Sequence, residues 1–182
     1  METLGYKSLT PYYVDRHKYI GEINFNDGIV DITDPCYDSD TWCAVFGHQI
    51  KSGKYKCYID VVDFPYIMEK EINHDYRIMR LVIIHEEFND KIKYDDLKFE
   101  AINDQIGVDA GLCGFYNHKP HYEKEDDWTN FWQNLSNDEY GNVCDCSENG
   151  VTVSSGFGDG VYRLSEINVN GDSIALSLDF DV

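Results

Sequence analysis

Residues 76–85 (Tyr76-Arg77-Ile78-Met79-Arg80-Leu81-Val82-Ile83-Ile84-His85) carry apolar side chains on both faces of an extended chain. Ile78, Val82 and Ile84 share one face, and Met79, Leu81 and Ile83 the other. Successive side chains of a strand point to opposite faces, so this stretch must be covered from two sides. It is therefore expected at the middle of the core, and the rest of the chain must supply two covering layers. At 182 residues a single domain over 1–182 can do this without covalent staples. The chain is 42% hydrophobic and holds fourteen Tyr and nine Phe, which favours strands and separates it from disordered proteins.

Other segments support an α+β, mainly antiparallel β fold, a sheet or sandwich of several hairpins with one short amphipathic helix. Residues 20–33 read as a hairpin around Asn26-Asp27-Gly28. Tyr55, Cys57, Ile59 and Val61 alternate as a half-buried strand. Ile106, Val108 and Ala110 form another, with Gly111 and Gly114 allowing a bulge or close backbone approach. Trp128, Phe131, Trp132 and Leu135 fall at helical spacing, predicting a helix over 126–136 capped by Asp126 or Asp127. Two hairpins follow, turning at Asn149-Gly150 and at Asn170-Gly171. Residues 1–19 are expected to pack more loosely.

Charge limits what such a chain can meet. The formal net charge is −19, with −7 in residues 1–100 and −12 in residues 101–182, where only Lys119, Lys124 and Arg163 are basic. Such a surface repels nucleic acid and anionic membrane and attracts basic protein. Independent tight binding to nucleic acid is not expected. The start of the chain has neither the basic residues nor the apolar run of a signal peptide, and the strongest apolar run, residues 81–84, is too short for a bilayer. A soluble, cytoplasmic protein is expected, with both monomer and homodimer open. The six cysteines then read as reduced structural thiols, and Cys144-Asp145-Cys146 as a C-x-C rather than a closed zinc site.

Several motifs invite chemistry. Gly156-Phe157-Gly158-Asp159-Gly160 resembles a phosphate loop, but strand residues lie on both sides where such a loop needs a following helix. A tight turn is expected instead, with at least one of Gly156, Gly158 and Gly160 at positive φ and Asp159 capping its own backbone. Asp34, Asp109 and Asp159 each sit in a turn-like motif; brought together, they would offer carboxylates to a divalent cation or a nucleotide-bound metal. His118 and His121 read as ordinary loop imidazoles, and Ser154-Ser155 lacks a nucleophile elbow. No catalytic residues, cofactor or metal are assigned. The acidic residues Glu123, Glu125, Asp126 and Asp127, with Asp138 and Glu139, are the candidate contacts to a basic partner, flanked by Trp128 and Trp132.

The pieces 32–37 (ITDPCY), 106–111 (IGVDAG) and 153–162 (VSSGFGDGVY) together resemble an uncharacterised family of β-rich bacterial and phage proteins. That family is marked by DPCY and a C-terminal SSG-aromatic-GDG-x-Y. The resemblance implies no catalytic residues. It implies phage or mobile-element company, in which small acidic proteins often inhibit host defence. The expected function is therefore a non-enzymatic inhibitor of a basic nucleic-acid enzyme, such as an RNA-guided nuclease of the CRISPR type. The alternatives are a nucleotide or metal-ligand enzyme or sensor using Asp34, Asp109 and Asp159, and an immunity protein for a basic toxin.

Overall fold

A computed structural model of the chain describes residues 6–37, 41–118, 130–131 and 133–181. Its strands, numbered along the chain, pair antiparallel in three sheets. The largest runs in the order β2 (Tyr12–Phe25), β5 (Gly53–Asp63), β8 (Tyr76–His85), β14 (Asp172–Asp179), β13 (Gly160–Val169) and β9 (Glu100–Val108). The second runs β11 (Cys144–Ser147), β12 (Gly150–Ser154), β10 (Leu112–Asn117), β3 (Ile29–Thr33) and β4 (Val45–Gln49). A small third sheet joins β1 (Lys7–Ser8), β6 (Tyr66–Met68) and β7 (Glu71–Asn73).

The two large sheets pack face to face as a sandwich. Phe25, Tyr55, Ile59, Leu81, Ile106 and Leu164 from one meet Val30, Ile32, Phe115, Val151 and Val153 from the other. Each fully buried aliphatic or aromatic side chain contributes about 1.5–3 kcal/mol, so this layer supplies most of the drive to fold. Strand β8 lies between β5 and β14, well inside its sheet. Leu81 and Ile83 face the other sheet, while Val82 and Ile84 enter a second cluster with Tyr58 and Ala175. Phe88, Tyr94, Leu97 and Phe99 cover that cluster. They belong to the segment holding a short helix, α1 (Glu86–Asn89), and a 3-10 turn at Tyr94–Asp96. The double cover demanded by the sequence is met.

One face assignment changes. Ile78 lies with Leu81 and Ile83 between the sheets, not with Val82 and Ile84. The β5–β8 register shifts between Asp60 and Val61, and a one-residue bulge reverses which face each later side chain meets. The stretch 20–33 is not a paired hairpin either: β2 and β3 belong to different sheets, and Asn26-Asp27-Gly28 turns the chain from one layer to the other. The strand expected through Ile106, Val108 and Ala110 ends at Val108, and residues 109–111 carry the chain from β9 to β10 in the other sheet. The hairpins β11–β12 and β13–β14 do form. The second turns at Asn170 and Gly171, both at positive φ, while the first turns one residue early, at Glu148-Asn149.

Two further expectations concern the start of the chain and the helix. Within 1–19, β1 pairs with β6 and β2 pairs with β5 from Tyr12 onward, and none of residues 6–19 is buried. Of the helix expected at 126–136, Asn130, Phe131, Gln133 and Asn134 are helical, and Leu135 and Ser136 are not. Asp126, Asp127, Trp128 and Trp132 lie outside the described residues, as do Glu123 and Glu125.

Candidate binding site

The three sequence motifs meet at one end of the sandwich, where the chain changes sheets. Asp34, fully buried, follows β3. Its Oδ1 accepts the N–H of Cys36 at 2.7 Å, and its Oδ2 accepts those of Asp109 and Ala110 at 2.8 and 2.7 Å. Ser155 N–H then donates to the Gly111 carbonyl at 3.0 Å, and Gly156 N–H to that of Ile78 at 3.0 Å. Gly156 and Gly158 have positive φ, of 51° and 103°, as expected of the glycine loop, whereas Gly160 does not. Tyr162 Oη donates to the carbonyls of Ser155 and Gly158 at 3.0 and 2.6 Å, and Ser155 Oγ donates to Gly158 at 2.9 Å. Phe157 stacks edge-on against Phe64 and lies under the Arg77 guanidinium. Asp159 is exposed and takes no part in this network among the described residues, so Ser155 and Tyr162, not Asp159, fix the loop.

Asp34, Asp109 and Asp159 therefore come from adjoining loops without presenting three carboxylates to one point. Both Asp34 oxygens are engaged by backbone N–H groups, while Asp109 and Asp159 are exposed. Among the described residues no group of three or more His, Cys, Asp or Glu is placed to hold a metal ion. This end of the molecule is a structural corner.

A polar groove of about 630 Å³ opens at the other end of the same strands, beside Val30 and Asn117, which pair across β3 and β10. Three carboxylates line it, Glu22, Asp27 and Glu148, together with the carboxamides Asn24, Asn26, Asn117 and Asn149. Among the described residues that line it, the one ammonium, Lys54, is paired with Glu22 at 3.0 Å. His118 also borders the groove. It is not an unconstrained loop imidazole: its Nδ1 lies 2.7 Å from Oδ1 of buried Asp31, which also accepts Gly47 N–H at 2.8 Å. The contact with Asp31 fixes the orientation of the imidazole at the groove's edge.

The two acidic candidates that the structure describes have other duties. Asp138 Oδ1 accepts the N–H groups of Tyr140 and Asn142, both at 2.9 Å, and Oδ2 accepts Asn142 Nδ2 at 3.1 Å. It closes a turn, and its carboxylate is spent there. Glu139 is exposed and pairs with Lys18, which also holds Asp15 at 3.2 Å.

A second histidine–aspartate pair lies near the small sheet. Asp63 is fully buried; His74 Nδ1 approaches its Oδ2 at 2.5 Å, Tyr12 Oη donates at 2.9 Å, and Asp75 N–H donates at 3.2 Å. Burial raises the Asp63 carboxyl pKa, but the hydrogen bonds outweigh it and hold it below the ordinary 3.8. A depressed carboxyl contributes stability that is complete above its unfolded value and is lost as pH falls through the folded one. Urea unfolding at about pH 5 and about pH 3 should thus show a smaller acid-induced loss for Asp63→Asn than for the parent. Equal losses would contradict the assignment.

No helix among the described residues is long and apolar enough to cross a membrane. Compared with protein-family models, curated proteins and solved structures, the chain finds no match in any of the three, so its function must be argued from its own charge and geometry.

Proposed function

We propose that this chain is a non-enzymatic acidic binding protein that receives a basic protein surface in the groove beside His118. The observation that carries the reading is the groove's charge: among its described residues Glu22, Asp27 and Glu148 stand with four carboxamides, and the one ammonium, Lys54, is already paired. Carboxylates and carboxamides suit the fixed N–H fork of arginine, and the surrounding −19 charge steers a cationic partner toward the groove. The target class is a nucleic-acid enzyme such as an RNA-guided nuclease, whose basic channel has the complementary sign, and inhibition follows from occupying it. Action on such a target belongs in the cytoplasm of a bacterial host cell.

The test is cleavage of target DNA by a panel of purified RNA-guided nucleases and restriction endonucleases, with a basic toxin nuclease included. Inhibition of at least one enzyme is expected, weakening as salt rises. The Glu148→Lys variant, changed at an exposed turn position, should slow association about threefold at low salt while melting like the parent. Duplex DNA alone should not bind. Inhibition that ignores both salt and the charge reversal, or tight binding of free DNA, would sink this reading. Inhibition confined to the toxin nuclease would identify an immunity protein.

A further inference from the structure

Cys57 and Cys146 are 89 positions apart, yet their sulfurs lie 3.9 Å from each other between the two sheets. Cys57 is fully buried on β5, and Cys146 is partly exposed on β11, an edge strand of the other sheet. The approach depends on Gly21, which pairs with Cys57 across β2 and β5. Gly21 has φ of 145°, and a Cβ there would come within 2.9 Å of both Cβ and Sγ of Cys146. Sγ of Cys146 also sits 3.6 Å from the Glu22 carbonyl, on the wall of the groove.

From this geometry we infer that Cys146 is a thiol-modification site for small disulfides of the glutathione class, and that Cys57 is its resolving thiol. The Cys146 thiolate attacks one sulfur of the external disulfide, forming a mixed disulfide and expelling a thiolate. Cys57 then gives up its proton and attacks the Cys146 sulfur, forming the Cys57–Cys146 bond and expelling the second thiolate. Two cysteine thiols are oxidised, one external disulfide is reduced to two thiols, and the two cysteine protons pass to those products. A disulfide needs about 2 Å between sulfurs, so a side-chain rotation of Cys146 must close the gap, and an edge strand can accommodate it.

The roles are unequal for a physical reason. Hydrogen bonding to Cys146, together with burial, pushes the Cys57 thiol well up, while the same contact lowers Cys146 against its own partial burial. Burial raises Cys144, its neighbour on the strand, to about 12, so it is the poorer nucleophile. The proposal is independent of what the groove binds.

Intact-mass measurement after native incubation with glutathione disulfide tests it, with exposed Cys36 replaced by Ser in every protein compared. The parent and Cys144→Ser should each lose the mass of two hydrogens, melt at a higher temperature, and revert with dithiothreitol. Cys57→Ala should instead retain one glutathione on Cys146, and Cys146→Ser should show neither product. If the buried replacement fails to fold, Cys146→Ser and the peptide map of the parent decide. Free thiols persisting at Cys57 and Cys146, or a bond joining Cys144 to Cys146, would overturn the assignment.

Discussion

Asp34→Ala should lower the melting temperature by about 10 °C. The Asp34 carboxylate is fully buried and receives three backbone N–H groups, from Cys36, Asp109 and Ala110. Hydrogen bonds to a charged acceptor contribute about 1.5–3 kcal/mol each, and donors left buried without a partner add a further cost. Allowing for non-additivity, about 4 kcal/mol is lost, and a domain of this size shifts by about 2–4 °C for each kcal/mol. Asp34→Asn should fall between. Its amide oxygen can keep the Asp109 and Ala110 donors, but its NH₂ then confronts Cys36 N–H. Thermal unfolding of the three proteins checks the order. A shift below about 2 °C for Ala, or stability gained on removing the charge, would revive the reading of Asp34 as a ligand-holding carboxylate, because functional groups are commonly costly to a fold.

That prediction shows which parts of the structure were legible in the sequence. Local periodicity exposed the inward face of β5, the central place of β8 and the Asn170-Gly171 hairpin, because each depends on residues close along the chain. Sheet membership was not legible at Asn26-Asp27-Gly28. A hairpin and a corner between layers use the same turn residues, and only the partners of β2 and β3 separate them. Nor was the meaning of the acidic residues. Asp138 looks like surface charge and is the acceptor of a turn; Asp34 looks like a turn and is the anchor of two distant N–H groups. The site shares this limit. His118 and Asp31 are 87 positions apart, and neither carries a motif that announces the pair.

The two ends of the sandwich divide the work between them. At the motif end, glycines and Asp34 let the chain change sheets with its backbone donors satisfied. At the groove end, carboxylates and carboxamides gather beside the ends of β3 and β10, and of these Glu22 is held by Lys54 and Asp27 by the Ile29 N–H. A change at the first end should be read in melting temperature, and one at the second in partner association. A variant that altered both equally would join the ends mechanically in a way this packing does not suggest.

The strictest packing constraint lies midway between the ends, at Gly114, where alanine should destabilise by about 3 kcal/mol or more or prevent folding. Gly114 pairs with Thr33 on one side and Thr152 on the other, inside the five-stranded sheet. A Cβ there would sit 1.9 Å from the Val151 carbonyl oxygen and 2.9 Å from Tyr116 Oη. Backbone at that distance cannot step aside without breaking the β10–β12 ladder, so the cost falls on the sheet rather than on one rotamer. Gly158 makes the opposite case. Its φ of 103° disfavours any side chain, but nothing lies within 4 Å of its Cβ position, so Gly158→Ala should cost only about 1–2 kcal/mol. Expression and thermal unfolding of the two variants separate crowding from backbone strain. If Gly114→Ala melted within about 2 °C of the parent, the close approach of β10 to β12 would be wrong.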